Sequence, residues 1–292
     1  MVARVGIVAK IQQNSLAVHL AEVAAWLEAR GVQPVFETET AGLMRDGVAR
    51  TTATRDELPH AADLIVVLGG DGTLLAVANR VSLAGRDLPI LGVNFGRLGF
   101  LAEINFPELY PLLESVIAGR ATIERRLSMR ARVLRGGERI AEHMAFNDVV
   151  ITRGALGRII ELAVSVGGEF VARFNADGLI VASPTGSTAY NLSAGGPILH
   201  PAVDALILTP IAPHTLSNRP VVIPASAPVL VAPTARDPDQ EVVLTLDGQT
   251  ARPLLPGDTV EVIRHDTPVR LVKSPTHSYF DVLRRKLKWA ER

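Results

Sequence analysis

Gly69-Gly70-Asp71-Gly72-Thr73 sets one carboxylate among glycines, directly after the apolar run Asp63-Leu-Ile-Val-Val-Leu68. Glycines at such a turn let backbone N–H groups approach phosphate oxygens without obstruction by Cβ, and a helix beginning there adds partial positive charge. The bland reading is a tight turn in which Asp71 caps the next helix. Three glycines around one carboxylate, after a strand of that type, favour a functional loop instead. No Lys-Ser or Lys-Thr pair follows the glycines, so the motif is not a P-loop, and its spacing differs from the dinucleotide fingerprint. Phosphate binding must then draw on backbone amides, metal and residues from elsewhere in the chain.

A second, longer feature runs from Asp177 to Tyr190 and continues as Asn191-Leu-Ser-Ala-Gly-Gly-Pro197. Asp177-Gly178 turns into an apolar strand that Pro184-Thr-Gly-Ser187 breaks, exposing hydroxyls and amides before a short helical run. Hydroxyls, amides and the Tyr190 ring suit a nucleoside with its phosphates. A loop this rich in hydrogen-bonding groups reads as a binding loop more readily than as a bare connection.

The elements that must position these loops follow two rhythms. In the first 120 or so residues, strand-like runs at Arg4–Val8, Val35-Phe36, Asp63–Leu68 and Leu88–Val93 alternate with helical spacing. The helical residues are Leu16, Leu20, Val23 and Leu27, stopped by Gly31, and Leu109, Leu112, Leu113, Val116 and Ile117 before Gly119. That alternation predicts a parallel sheet with helices on its faces, with ligands beyond the carboxyl ends of the strands. After Ile123 the period changes to two, with Leu127, Met129, Ala131 and Val133 apolar and arginines or serine between them. Further strands are expected at Arg139–Phe146, Ile159–Val166, Phe170–Phe174, Leu179–Ala182, Val229–Ala232, Val242–Leu246 and Thr259–Arg264. Gly-containing turns at Gly136-Gly137, Gly167-Gly168, Asp247-Gly248 and Pro256-Gly257 punctuate them. Ser278–Glu291 returns to helical spacing through Phe280, Leu283 and Leu287. The expected organisation is an α/β + β chain. A Rossmann-like α/β domain with a parallel sheet occupies 1–121, and a mainly antiparallel β domain occupies 122–275. A helix at 276–292 packs back on the first domain.

Composition narrows the function. The 292 residues carry 30 basic and 30 acidic side chains, a formal charge of zero. A neutral chain lacks the long-range field that non-specific nucleic-acid or anionic-membrane binding needs, so neither partner is expected. Arg284-Arg285-Lys286 reads as the solvated face of an amphipathic helix. With no cysteine, disulfides, thiolate catalysis and cysteine metal sites are excluded. Without a leader pattern or a membrane-length apolar run, the expectation is a soluble cytoplasmic protein.

Taken together, Gly69–Thr73, Phe95–Leu101, Asn147-Asp148, Asp177–Tyr190, Gly195–Ile198, Ile211–Pro220 and Asp247-Gly-Gln249 resemble the NAD kinase family in the expected order along nearly the whole chain. The Gly-Gly-Asp-Gly-Thr motif is shared with lipid kinases and relatives of 6-phosphofructokinase; the Asp177–Tyr190 block is the specific one. The resemblance implies transfer of a phosphoryl group from ATP, or another donor, to the 2′-hydroxyl of the adenosine ribose of NAD. It implies that Asp71 faces that hydroxyl and that Gly72 lines the dinucleotide site. Asn147 and Asp148 would bind the adenosine moiety, Asp148 standing where many relatives have Glu. Asn175 and Asp177 would contact the bound nucleotide, and Thr188, Ala189, Tyr190, Asn191, Leu192 and Ser193 would wall it. Arg158 and Gln249 would contribute from other strands, whereas Arg173 and His214 read as structural. Mg²⁺ or another divalent metal is implied with ligands unassigned, as is a homodimer or homotetramer. Two other functions share parts of the pattern: a lipid kinase of the diacylglycerol or sphingosine type, and a non-catalytic dinucleotide sensor. Because the Asp71 loop and the adenosine-binding residues lie on different halves, both halves are expected to serve one dinucleotide.

Overall fold

Each apolar run that the sequence brackets with turns becomes a strand in the computed structural model, which describes residues 2–10, 16–44, 47–95, 99–154, 158–215, 217–235 and 240–289. Residues 96–98 of the Phe95–Leu101 motif, Leu216, and the end of the expected C-terminal helix lie outside the described residues. Two compact units emerge, residues 1–125 with 269–292, and residues 126–268.

The first unit runs β1 (Arg4–Ala9), α1 (Leu16–Glu28), β2 (Gln33–Glu37), α2 (Thr38–Ala41), β3 (Thr52–Ala53), α3 (Leu58–Ala61), β4 (Leu64–Leu68), α4 (Asp71–Leu83), β5 (Pro89–Asn94), β6 (Ile104–Asn105), α5 (Leu109–Ile117) and β7 (Ile123–Arg126). The second contains β8 (Met129–Arg135), β9 (Glu138–Ala145), β10 (Asp148–Arg153), β11 (Ile160–Val166), β12 (Glu169–Ala176), β13 (Gly178–Ala182), α6 (Tyr190–Ser193), β14 (Ala205–Ile211), β15 (Val221–Pro224), β16 (Val229–Thr234), β17 (Val242–Leu246), β18 (Thr250–Leu254) and β19 (Asp258–Arg264). The chain then returns to the first unit as β20 (Val269–Val272) and α7 (Tyr279–Leu287).

In the first unit the strand order is β3-β2-β1-β4-β5-β20-β7, with β6 beside β5. The pairs from β3 to β20 are parallel. β4 is buried along its whole length because helices cover both faces of the sheet. Leu16, Leu20, Val23 and Leu27 form the buried stripe of α1, and Gly31, at φ +72°, reverses the chain into β2. β20 joins this sheet although its sequence follows the β-rich stretch; the expected boundary at 275 sits beyond it. α7 begins with a Ser278–Asp281 capping box and buries Val282 and Leu283, and its Lys286 ammonium lies 5.8 Å from the centre of the Phe100 ring.

The second unit holds two six-stranded sheets, β15-β14-β13-β10-β17-β18 and β12-β11-β16-β19-β8-β9. Their pairs are antiparallel. Alternate residues of β8, Met129, Ala131 and Val133, meet Val149, Ile151, Leu179 and Val181 in one core between the sheets. On its outer face β10-β13-β14 is covered as well, where Val150, Ile180, Ala182 and Ile207 pack with Ala194 and Leu199. Two-sided burial explains why β13 reads as a continuous apolar run rather than as alternation.

Gly92, in β5, sets how closely α4 and the segment after Gly99 approach the sheet. A Cβ there would lie 2.5 Å from Leu74 Cδ1 of α4 and 3.1 Å from Ala102 Cα. Gly92→Val should therefore destabilise the first unit by about 1–3 kcal/mol through overpacking. Urea unfolding of the variant checks this, and the loss should exceed that of Gly72→Ala, whose helical site has open space around it and no positive φ.

Candidate active site

Asp71 is the first residue of α4, after Gly70 in extended conformation, and no side chain caps this helix at Gly70. Its carboxylate turns instead to the segment after β5. Oδ2 accepts the Phe100 N–H at 2.8 Å, and Oδ1 accepts those of Leu101 and Ala102 at 3.1 and 3.0 Å. Three consecutive amides thus fix both oxygens in a half-exposed position, and Oδ2 keeps acceptor capacity. A Cβ on Gly99 would overlap this carboxylate, so that glycine permits the close approach. Gly72 is exposed on the next position of the same turn. Among the described residues no group of three or more His, Cys, Asp or Glu side chains could hold a metal ion.

The second unit builds a pocket of about 410 Å³ lined by Asn147, Asp148, Val150, Thr152, Ala189, Tyr190, Thr245, Asp247 and Gly248. Its floor is where β10 starts between β13 and β17, with Asp148 opposite Ala182 and Val149 opposite Leu246. Asp247, in left-handed conformation at φ +52°, anchors that start. Its carboxylate accepts the Phe146, Asn147 and Asp148 N–H groups at 2.7 to 3.1 Å, and its own N–H donates to Asp148 O at 3.0 Å. The Ser183–Ser187 loop is pinned to the same place. Ser183 N–H donates to Asn147 O at 2.9 Å, Ser183 Oγ donates to Phe146 O at 2.6 Å and accepts from Gly186 N–H at 3.1 Å. A Cβ on Gly186 would overlap the Asn147 carbonyl.

Asp148 is only 4 % exposed. Burial pushes its carboxyl up to about 7, and the negative charge of Asp247 adds to the shift. Near neutral pH this group stands between donor and acceptor of a hydrogen bond.

Of the residues singled out in the sequence, Asn147, Asp148, Ala189 and Tyr190 meet at the pocket, with Tyr190 45 % exposed. Thr188, Leu192 and Ser193 flank them on the turn and on α6, Thr188 Oγ1 donating to Thr185 O at 3.3 Å. Asn191 differs from the expected wall residue: it is wholly buried, and its carboxamide is committed to the Ser187 and Pro197 carbonyls and the Thr209 hydroxyl. It braces the loop from within. Arg158, Asn175, Asp177 and Gln249 do not line the pocket. The Asp177 carboxylate is gripped by the Arg153 guanidinium, at 2.6 and 3.3 Å. Arg158 and Gln249 are exposed, and the Asn175 carbonyl accepts the His214 N–H at 2.9 Å.

Asp247, Ser183, Gly186 and Arg153 were not singled out by side-chain type. For Asp247 the sequence signals are its place in the Asp247-Gly-Gln249 motif and an acidic residue before glycine at a turn, where a carboxylate can take up nearby amides.

A parallel sheet with a glycine-flanked carboxylate beyond one strand, and a β unit whose pocket offers amide, carboxyl and phenol groups, define a nucleotide-using kinase. Comparison with known proteins specifies it further. Residues 5–121 match the ATP-NAD kinase N-terminal domain and residues 146–274 the ATP-NAD kinase C-terminal domain. The NAD kinases of Geotalea daltonii and Geobacter sulfurreducens are 46 % and 47 % identical over 289 residues, covering 99 % of this chain and 99 % of each relative. A crystal structure of yeast NADH kinase complexed with NADH superposes with TM-score 0.89 at 27 % identity, covering 99 % of this chain and 88 % of that one. An NAD kinase from Archaeoglobus fulgidus in complex with ATP gives 0.76 at 25 % identity, covering 98 % of both chains. The chain belongs to the NAD kinase family, and its activity is that of an NAD kinase. This identity along the full length decides against the lipid-kinase reading.

The buried Asp148 carboxyl makes stability depend on pH. Its folded value, about 7, lies above the ordinary 3.8. From about pH 4 to 7 the unfolded chain has lost the proton that the folded chain keeps, so stability falls as pH rises and levels off above 7. The total loss is on the order of 4 kcal/mol. Asp148→Asn cannot ionise and should flatten this fall, as urea unfolding at pH 4.5, 6 and 8 would show.

Proposed function

We propose that this chain phosphorylates the 2′-hydroxyl of the adenosine ribose of NAD with ATP as donor, releasing NADP and ADP, and that Asp71 is the catalytic carboxylate. The observation that carries the assignment is the Asp71 carboxylate itself, held by three backbone amides beside a glycine turn with Oδ2 still able to accept. A loose phosphoryl-transfer transition state demands positioning and charge neutralisation more than covalent help. Asp71 accepts the hydrogen bond of the attacking hydroxyl. The ribose oxygen forms its bond to the terminal phosphorus as the bond to the ADP oxygen breaks, and the hydroxyl proton passes to Asp71 late. An oriented, intact carboxylate also favours catalysis over the sensor alternative.

Asn147 and Asp148 are assigned to the adenosine moiety, with Ala189 and Tyr190 forming the wall beside it and Thr188, Leu192 and Ser193 extending that wall. Asp148 can donate to an acceptor when protonated or accept from a donor when ionised. Gly72 belongs to the same reading beside Asp71, as do Arg158, Asn175, Asp177 and Gln249 as contributors at the margin of the nucleotide. A divalent ion such as Mg²⁺, when bound, neutralises charge on the donor phosphates. The family resemblance adds assembly as a homodimer or homotetramer and work in the cytoplasm to this proposal.

Incubation with Mg²⁺-ATP and NAD, following NADP with an NADP-specific dehydrogenase, tests the activity; no NADP formation by folded protein refutes it. Asp71→Asn should lower kcat by ~10²–10⁴. It should also cost about 1–3 kcal/mol of stability, because the new NH₂ opposes one of the three amides. Folded variant with near-normal turnover would remove Asp71 from the mechanism. Replacing Asn147 and Asp148 together by alanine should weaken NAD binding by a few kcal/mol. Calorimetric titration reads that loss, and unchanged affinity would release both residues from the assignment.

A further inference from the structure

The glycine turn of this chain lacks the lysine that a P-loop supplies from its own sequence, and the fold provides one from the neighbouring strand. β1 and β4 pair in parallel, Ala9 opposite Leu68, so the residues that leave the two strand ends side by side are Lys10 and Gly69. The Lys10 N–H donates to Leu68 O at 3.0 Å, and the Gly69 N–H donates to Val93 O at 2.9 Å. These bonds fix both backbones at the carboxyl edge of the sheet.

Side-chain direction follows from the same geometry. A Cβ built on Gly69 would lie 3.4 Å from Lys10 Cβ and 2.9 Å from the Thr73 hydroxyl, in the first turn of α4. Lys10 and Thr73 therefore flank the one face that Gly69 leaves bare. Lys10 is exposed, and among the described residues its ammonium forms no ion pair, although acidic side chains elsewhere in this unit hold arginines: Glu37 with Arg55 at 2.8 Å, Asp56 with Arg80 at 3.2 Å, Asp87 with Arg270 at 3.3 Å. The positive end of the 13-residue helix α4 lies beside it. The Asp71 carboxylate of that helix end is turned to the Phe100, Leu101 and Ala102 amides, so Lys10 brings a cation to the glycine turn on a side chain long enough to sweep the space in front of Gly69-Gly70.

We propose that Lys10 binds the phosphates of the nucleotide donor, acting as a strand-supplied counterpart of a P-loop lysine. This rests on the reading of the chain as an ATP-using kinase. The Lys10 ammonium donates hydrogen bonds to phosphate oxygens and offsets the charge that builds on the departing diphosphate. It does not touch NAD, and it takes no proton in the step.

Lys10→Ala and Lys10→Arg test the assignment in the full chain. With the wild-type protein forming NADP, Lys10→Ala should raise KM for ATP by roughly ten- to a hundred-fold, the effect of one lost charged hydrogen bond. NAD affinity measured by calorimetry without donor, and thermal stability, should stay at wild-type values. Inorganic tripolyphosphate should inhibit Lys10→Ala correspondingly less, and Lys10→Arg should recover most of the ATP affinity because the charge remains. Wild-type ATP parameters in Lys10→Ala, or an equal loss of NAD affinity, would overturn the proposal. Absence of NADP formation by wild-type protein would instead refute the kinase reading on which it stands.

Discussion

Backbone N–H groups outside helices and sheets must find acceptors, and at both functional loops of this chain the acceptor is one aspartate. Asp71 gathers the amides of Phe100, Leu101 and Ala102; Asp247 gathers those of Phe146, Asn147 and Asp148. A carboxylate offers enough lone pairs for three amides, and each charged bond is stronger than its neutral counterpart. The two loops could not hold their curvature with the amides unmet. The same device serves different ends. Asp71 is fixed by its amides and keeps acceptor capacity for a substrate hydroxyl, whereas Asp247 fixes its amides and thereby presents Asn147 and Asp148.

Glycines make these contacts possible by admitting atoms where a Cβ would stand. Gly99 admits the Asp71 carboxylate, Gly186 the Asn147 carbonyl, and Gly92 the Leu74 side chain. Around the pocket the buried polar groups Ser183, Ser187, Asn191 and Thr209 satisfy one another and the surrounding carbonyls. A network of that kind costs little once every member is paired, and it leaves the shape of the loop with few alternatives. Asp148 lies buried beside this network. Burial and the nearby Asp247 charge raise its carboxyl to about 7, which ties the pocket's protonation state to physiological pH.

Much of the fold was legible in the sequence. Period-3.6 apolar spacing marked α1 and α5, uninterrupted apolar runs marked β1, β4 and β5, and the change to period two at Leu127 marked the antiparallel unit. β10, β14, β15, β18 and β20 escaped notice, as did the short β3, β6 and β7. β14 carries a proline and lies between two motifs read for their polar groups, Gly195–Ile198 and Ile211–Pro220. β20 is a short apolar run after the β-rich stretch, and only its partner β5 reveals that it belongs to the parallel sheet. Pairing over such a separation leaves no local mark in composition or period.

By itself the sequence determined the classes of its elements, the candidate carboxylate Asp71 and the binding loop, because periodicity, glycine spacing and residue type are local properties. Tertiary structure alone decided what each polar side chain does. It spent the Asn191 carboxamide inside the loop and paired Asp177 with Arg153. It also buried Asp148 beside Asp247 and brought Lys10 level with Gly69. Hydrogen-bond partners and local dielectric depend on neighbours tens to hundreds of residues away, such as the separation of 101 between Phe146 and Asp247. A side chain's chemistry is set by those neighbours, and the chain's linear order does not name them.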